Sequence, residues 1–412
     1  MRLNTLIALG GIALAASPAL ADIDEFTSAV LSWNDDEMSG TAQMIESSID
    51  GNAFIVCYQQ TTGTNWVFAV NNSATGVLED VAALSAMEIF GVAYSSTMGR
   101  LAISFRDLQG NPNTILFGTD GLPMRTFPGT SMVAFDNAGS YLAVAGQSSP
   151  VVEVALLSSG ESVRAFVCPA PILAPNAISI ASENGGQNGV VGAVGDMGSM
   201  VVWELGNGSV IFSQFDIDDG DMISMAIAPG CTYVGGGGEA GEDTFSSANG
   251  YLDVYALPGS TEITGQRVYR GQLDQLAARK IQFTSDEEQL LVGGLIGNDL
   301  AVTAIDWREG TEATVQISVD EELNSSINDF ALAPDQMVWA TASDSGVTAF
   351  VPGTASDCVA DLDGNDIVDG GDLAILLANW QGSGAENDLD GNGIVDGGDL
   401  SILLALWGSC QD

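Results

Sequence analysis

Two stretches near the C-terminus carry the side chains best suited to chemistry. Residues 361–381 read DLDGNDIVDGGDLAILLANWQ and residues 388–408 read DLDGNGIVDGGDLSILLALWG, offset by 27 residues and identical at 17 of 21 positions. Each opens with oxygen donors at loop positions 1, 3, 5, 9 and 12. In the first copy these are Asp361, Asp363, Asn365, Asp369 and Asp372; in the second, Asp388, Asp390, Asn392, Asp396 and Asp399. The backbone carbonyls of Ile367 and Ile394 fall at position 7. A hard divalent cation such as Ca2+ is satisfied by oxygens at this spacing, whereas a soft metal asks for sulfur or imidazole. The pattern predicts two calcium ions, one per copy.

The charge around these loops argues the same way. From residue 357 to residue 412 there are twelve acidic side chains and no basic one. Carboxylates held a few ångströms apart repel by ~1–4 kcal/mol per pair, so they cannot be gathered without cations. After each loop comes an apolar stripe at helical spacing: Leu373, Leu376, Leu377 and Trp380, then Leu400, Leu403, Leu404 and Trp407. Two short helices bury little surface, so metal and a covalent staple are expected to supply what the core lacks. Cys358 and Cys410 bracket the repeats, and a disulfide between them is the expected staple.

Tandem EF-hand-type loops of this length, each followed by a helix, with aspartate at position 12 and Val368 and Val395 at position 8, resemble a type I dockerin. The resemblance covers about 55 residues, ~13% of the chain. It implies a calcium-dependent module that docks onto a cohesin-like scaffold protein or a cell-surface component; dockerins typically deliver secreted polysaccharide-degrading enzymes. Two features depart from the family. Position 6 is Gly393 in the second loop but Asp366 in the first, and positions 10 and 11 are Gly370-Gly371 and Gly397-Gly398. Dockerins often read their partner with side chains at those last two positions.

Composition removes whole classes of function. The 412 residues carry 54 acidic and 10 basic side chains, a net charge of −44, and Lys280 is the only lysine. Nucleic-acid binding is excluded, because phosphate neutralisation needs clustered cations. There is no histidine, which removes Ser-His-Asp and Cys-His catalysis and His-ligated zinc. Arg2, an apolar run from Leu6 to Ala16 and Ala19-Leu20-Ala21 read as a secretory signal peptide over residues 1–21, so a secreted or cell-surface location is expected. No later run is long enough to cross the membrane. Cys57, Cys168 and Cys231 form an odd set with one thiol left over.

Residues 22–355 repeat one phrase: an apolar strand, a small polar turn, and a second apolar strand. It begins at Met44, Phe90, Ser131, Ala177, Met222, Ala278 and Ile327, at intervals of 41–56 residues. Second hairpins follow, as in VVEVALLSSGESVRAF and MVVWELGNGSVIFSQF. Four strands per unit at this period predict an all-β fold, a seven-bladed β-propeller, with six or eight blades as alternatives. The last phrase has room for about three strands before residue 356, while residues 26–33 hold one strand that belongs to no phrase. The expectation is that this N-terminal strand completes the last blade and removes an exposed edge. The pattern resembles WD-repeat and YVTN-type propellers without their signature dipeptides. Gly235 to Gly238 read as a tight turn; Trp33, Trp66, Trp203, Trp307 and Trp339 could form a sugar-stacking platform, but their spacing places most of them in strands and they read as blade packing.

Taken together, residues 356–412 form a small α-helical dockerin-like calcium module behind the propeller. The expected function is non-enzymatic, with a protein or glycan ligand on the propeller face. The alternative is a dockerin-borne glycoside hydrolase or polysaccharide lyase, for which two facing carboxylates ~5–9.5 Å apart on the propeller axis would speak.

Overall fold

Short runs of Val, Ile, Phe and Ala between Gly, Asp and Asn turns can bury their side chains only as antiparallel strands stacked sheet against sheet. The computed structural model describes residues 28–35, 40–49, 51–60, 63–72, 78–96, 98–182, 189–215, 220–239, 250–273, 278–296, 299–317, 327–333, 338–344 and 346–353, with 360, 362, 367–368, 370–380, 382, 395, 397–405 and 407–409 beyond them. The leader expected at residues 1–21 and both Cys358 and Cys410 lie outside the described residues.

The chain forms a seven-bladed β-propeller. It enters through β1 (Ser28–Asp35). Blade 1 is β2 (Thr41–Ser47), β3 (Ala53–Gln59), β4 (Asn65–Asn72) and β5 (Leu78–Ser85). Blade 2 is β6 (Glu88–Ser95), β7 (Arg100–Arg106), β8 (Pro112–Phe117) and β9 (Pro123–Pro128). Blade 3 is β10 (Met132–Phe135), β11 (Tyr141–Ala145), β12 (Val151–Leu156) and β13 (Ser162–Val167). Blade 4 is β14 (Ala177–Ser182), β15 (Gly189–Gly195), β16 (Ser199–Glu204) and β17 (Val210–Gln214). Blade 5 is β18 (Met222–Ile227), β19 (Tyr233–Glu239), β20 (Gly250–Ala256) and β21 (Arg267–Leu273). Blade 6 is β22 (Lys280–Phe283), β23 (Leu290–Ile296), β24 (Asp299–Asp306) and β25 (Thr311–Ile317). Blade 7 is β26 (Ile327–Ala333), β27 (Val338–Ser343) and β28 (Gly346–Gly353), and β1 completes it beside β28.

The first strands of the blades, β2, β6, β10, β14, β18, β22 and β26, touch in succession and β26 returns to β2, closing the ring. Each phrase singled out in the sequence is the first hairpin of one blade. Burial follows strand position. The second strands are buried on both faces, as β11, β15 and β27 are throughout, because a neighbouring blade covers each side. The outer strands β9 and β13 are mostly exposed. The apolar cores lie between blades: Ile45, Phe54 and Val56 meet Ala331, Val338 and Ala340 where blade 1 joins blade 7. Trp203 packs with Phe166 and Ile180 between blades 3 and 4.

Gly235 to Gly238 are not a turn. They lie in β19, paired with β18 on one side and β20 on the other. A side chain at Gly236 would run into Met200 and Met222, one at Gly237 into Ala278, and one at Gly238 into the Asp221 carbonyl. Close approach of neighbouring blades therefore selects glycine in a strand that propensity alone would reject. Cys57, Cys168 and Cys231 are buried in blades 1, 3 and 5 and form no disulfide with one another. Burial pushes Cys168 up to about 11 and Cys57 well above the usual thiol value, which suits core packing and not nucleophilic attack.

Beyond the propeller the chain forms a second compact unit. It contains β29 (Ile367–Val368), α1 (Gly370–Ala378), α2 (Gly397–Ala405) and β30 (Gly408–Ser409). Among the described residues no helix is long and apolar enough to cross a membrane.

Deleting residues 28–35 is expected to leave β28 as an open edge. The truncated protein should unfold at lower urea concentration and form oligomers that grow with concentration. A truncated monomer with an unchanged midpoint, read by light scattering and urea unfolding, would show that closure by β1 is dispensable.

Candidate functional site

The two places where the sequence gathers charge are the C-terminal repeats and the propeller axis. In the repeats, Asp361, Asp363, Asn365, Asp369, Asp388, Asp390, Asn392, Ile394 and Asp396 lie outside the described residues, as does the Ile367 side chain. The two position-12 aspartates are described. Asp372 and Asp399 stand in the first turns of α1 and α2, where the helix dipole favours a negative charge, and both are fully buried. The Leu362 N–H donates to Asp372 Oδ1 at 2.6 Å, so this carboxylate reaches back to the opening of its own loop.

The repeats interlock reciprocally. Val368 in β29 pairs with Gly408 in β30, after α2. Val395, 27 residues on, donates its N–H to the Gly382 carbonyl, after α1, at 3.0 Å. Each loop is thus tied by position 8 to the segment following the other helix. Val368, Val395, Leu376 and Leu403 close a small core with Ala360, and Leu362, Leu373 and Leu400 pack against it.

The helical stripes divide here. Leu376 and Leu403 are buried and Leu373 and Leu400 half-buried, but Leu377, Trp380, Leu404 and Trp407 are 40–52% exposed. Half of each stripe therefore faces outward, with the same two residue types presented by each copy. A core of this size has room for one leucine per helix, so the remaining apolar side chains have nowhere to go.

On the propeller axis, the first strands line a channel with a cavity of about 350 Å³. Lys280 stands on β22 in its wall. Its Nζ lies 2.8 Å from Glu46 Oε1 on β2 and 3.2 Å from Asp329 Oδ1 on β26, and donates to the Ile45 carbonyl at 3.0 Å. Asp329 Oδ2 accepts the Ile45 N–H at 3.0 Å, and the Phe330 ring lies 5.4 Å from the ammonium. One cation thereby ties blades 6, 7 and 1 together across the junction where the ring closes. The surrounding strands crowd these groups, although none of the three side chains is fully buried. Burial pushes the Glu46 carboxyl above its ordinary value; Lys280 pulls it down and Asp329 pushes it up. Burial alone would lower the Lys280 pKa, but Asp329 and Glu46 outweigh it and hold it above the ordinary lysine value.

The composition already held a signal for this cluster: a single lysine among 54 acidic residues. Its two partners lie 234 and 49 residues away, and no local pattern names them. The channel does bring two carboxylates together, but with an ammonium between them, in the gap where a scissile bond would have to sit.

No protein-family model matches the chain, and no curated protein matches it.

Because Lys280 is held above its ordinary pKa, its stabilisation is present throughout neutral pH and is lost only as pH rises through that raised value. Lys280→Met should cost about 2–3 kcal/mol at pH 7; the partial exposure of Glu46 keeps this below the full penalty for breaking a buried pair. The two carboxylates left behind repel, and protonation relieves them, so the deficit relative to wild type should shrink near pH 4. Adding Glu46→Gln and Asp329→Asn should restore stability at pH 7. Urea unfolding at the two pH values checks this, and a deficit independent of pH would refute the clamp.

Proposed function

We propose that this protein is an exported, non-enzymatic β-propeller that serves as a recognition platform, joined to a partner through a calcium-stabilised, dockerin-like C-terminal module. The observation that carries the reading is the pair of buried aspartates, Asp372 and Asp399, in a segment without one basic side chain. An oxygen-only donor set at this spacing selects a hard cation. The ligands would be Asp361, Asp363, Asn365, Ile367, Asp369 and Asp372 for one ion, and Asp388, Asp390, Asn392, Ile394, Asp396 and Asp399 for the other. Bound calcium would supply charge compensation and order to the loops.

The docking surface follows from the exposed halves of the stripes. Leu377 and Trp380 on one repeat and Leu404 and Trp407 on the other offer duplicated apolar side chains, of the kind that anchor protein interfaces. Glycines at loop positions 10 and 11 leave recognition to these residues. A cohesin-like or cell-surface protein is the partner class that fits, and export follows from the leader-like residues 1–21. The duplication lets either repeat present the same surface, so a partner could dock in two orientations. The ammonium between Glu46 and Asp329 favours a binding role for the propeller over glycoside hydrolysis.

Calorimetry of the full chain in Ca2+ should show a module transition that collapses in excess EGTA while the propeller transition stays. Asp372→Asn combined with Asp399→Asn should lose the module transition at calcium levels that saturate the wild type. Melting curves identical in Ca2+ and EGTA would sink the calcium reading. Capture of surface proteins by the wild type, lost only when both Trp380→Ala and Trp407→Ala are introduced, is the expected docking behaviour.

A further inference from the structure

The loops at one end of blade 4 hold large apolar side chains at the surface. Leu173, Met197 and Phe215 are 78%, 45% and 51% exposed. They stand on three adjoining segments: the loop entering β14, the turn between β15 and β16, and the exit of β17. Ile172 is buried against Gly195 at the start of that turn, which leaves its neighbour Leu173 on the outside. Gln214, the residue before Phe215, pairs with Met200 just beyond the turn.

Hydrogen bonds fix this arrangement. The Asn176 side chain donates to Asp196 Oδ1 and to the Met222 carbonyl, both at 3.1 Å. The Met197 N–H donates to Asp221 Oδ1 at 3.0 Å, and the Gly198 N–H to the Gly220 carbonyl. Met197 and Gly198 both hold left-handed backbones (φ +58° and +59°), and the Ser199 N–H closes the turn on the Asp196 carbonyl at 3.2 Å. Such a hairpin turn favours Asn-Gly or Asp-Gly. Methionine there suits neither the backbone nor the solvent, so folding does not select it. Below the turn, Met200, Met222 and Met225 fill the seam between blades 4 and 5 against Gly192 and Gly236. Unbranched thioethers over glycine re-pack readily, which lets the loops above adjust to a partner.

The surrounding charge selects what can cover the patch. Asp196 and Asp221 flank Met197, and the chain continues from Phe215 through Asp216, Asp218 and Asp219. No basic residue occurs between Arg164 and Arg267. Arg164 is committed to the carbonyls of Leu205, Gly206 and Asn207 at the far end of blade 4. A second copy of this chain would set the same carboxylates against themselves, and an anionic membrane would add more negative charge. A cationic protein segment with apolar anchors meets both the charge and the exposed carbon.

We propose that Leu173, Met197 and Phe215 form a docking surface for a cationic protein segment in which apolar side chains alternate with lysine or arginine. This rests on the reading of the propeller as a recognition platform and names the partner class for that role. The test titrates the full chain, in calcium and about 0.15 M salt, by calorimetry against three synthetic peptides of equal length. One alternates leucine with arginine, one leucine with glutamate, and one serine with arginine. The leucine–arginine peptide should bind most tightly and the leucine–glutamate peptide not at all. Combining Leu173→Ser, Met197→Asn and Phe215→Ser should weaken the leucine–arginine peptide by about tenfold or more and leave the serine–arginine peptide unchanged. Met197→Asn alone creates the favoured turn pair, so its urea midpoint should not fall. Absence of wild-type binding, equal binding by the triple variant, or a lowered Met197→Asn midpoint overturns the proposal. So does a wild-type dimer that the triple variant loses, because the occupant would then be a second copy. Surface proteins captured in a Trp380→Ala, Trp407→Ala background, and still captured after the triple substitution, would refute this site and leave the platform reading standing.

Discussion

A propeller is a ring, and a ring is only as stable as its last junction. Six of the seven blade contacts join consecutive segments of chain; the seventh joins the two ends of the propeller and has no covalent continuity to help it. Two devices converge there. Strand β1 completes blade 7 from the opposite end of the propeller sequence, and the ammonium of Lys280 holds Glu46, Asp329 and the Ile45 carbonyl on one point. The clamp sits in a narrow channel, where charge interactions are screened less than at an open surface. Breaking it on one side would strand two like charges in the same wall, which makes the closure close to all-or-none.

The other interfaces are apolar, and their regularity gives the departures meaning. Doubly buried second strands, half-buried first strands and exposed outer strands recur from blade to blade because each strand position meets the same surroundings. Arg125 and Arg164 close the grooves after blades 2 and 3, while the same register position is Ala82 in blade 1, Phe212 in blade 4 and Tyr269 in blade 5. Blades 5 and 6 are tied from the other side, by Glu287, which accepts from the Gly230 N–H and the Thr232 hydroxyl.

The repeat itself was legible in the sequence. All seven phrases are first hairpins of blades, and the leftover strand at residues 26–33 corresponds to β1, which completes blade 7. Alternating and continuous apolar runs encode strands directly, and the leftover fragments at the two ends encode closure by counting. Side-chain partnerships across the ring were not legible, since Lys280 and Glu46 are neighbours only once seven blades have turned full circle. Gly235 to Gly238 misled for the same reason: Gly236 to Gly238 are selected by Met200, Met222, Ala278 and the Asp221 carbonyl, on adjacent segments and blades. In the repeats, helical spacing identified an apolar stripe but not which half is buried. That division depends on how two short helices meet, not on either helix alone.

The scarcity of positive charge links the two parts of the molecule. With ten basic residues against 54 acidic ones, every cation the chain places is costly to omit and informative to find. The propeller uses its cations internally: Lys280 at ring closure, Arg125 and Arg164 across grooves, and Arg267 and Arg270 beside the buried Asp253. Arg308 is placed differently, against the Trp307 and Tyr233 rings, with its donors uncommitted to any carboxylate among the described residues. The C-terminal segment takes the opposite course and contains no basic residue at all, yet it buries Asp372 and Asp399. A polypeptide that can place an arginine beside a buried aspartate, as at Asp253, could have done so in the repeats. In the repeats both aspartates stand instead in the first turn of a helix, where the backbone dipole favours negative charge, and Asp372 accepts the Leu362 N–H.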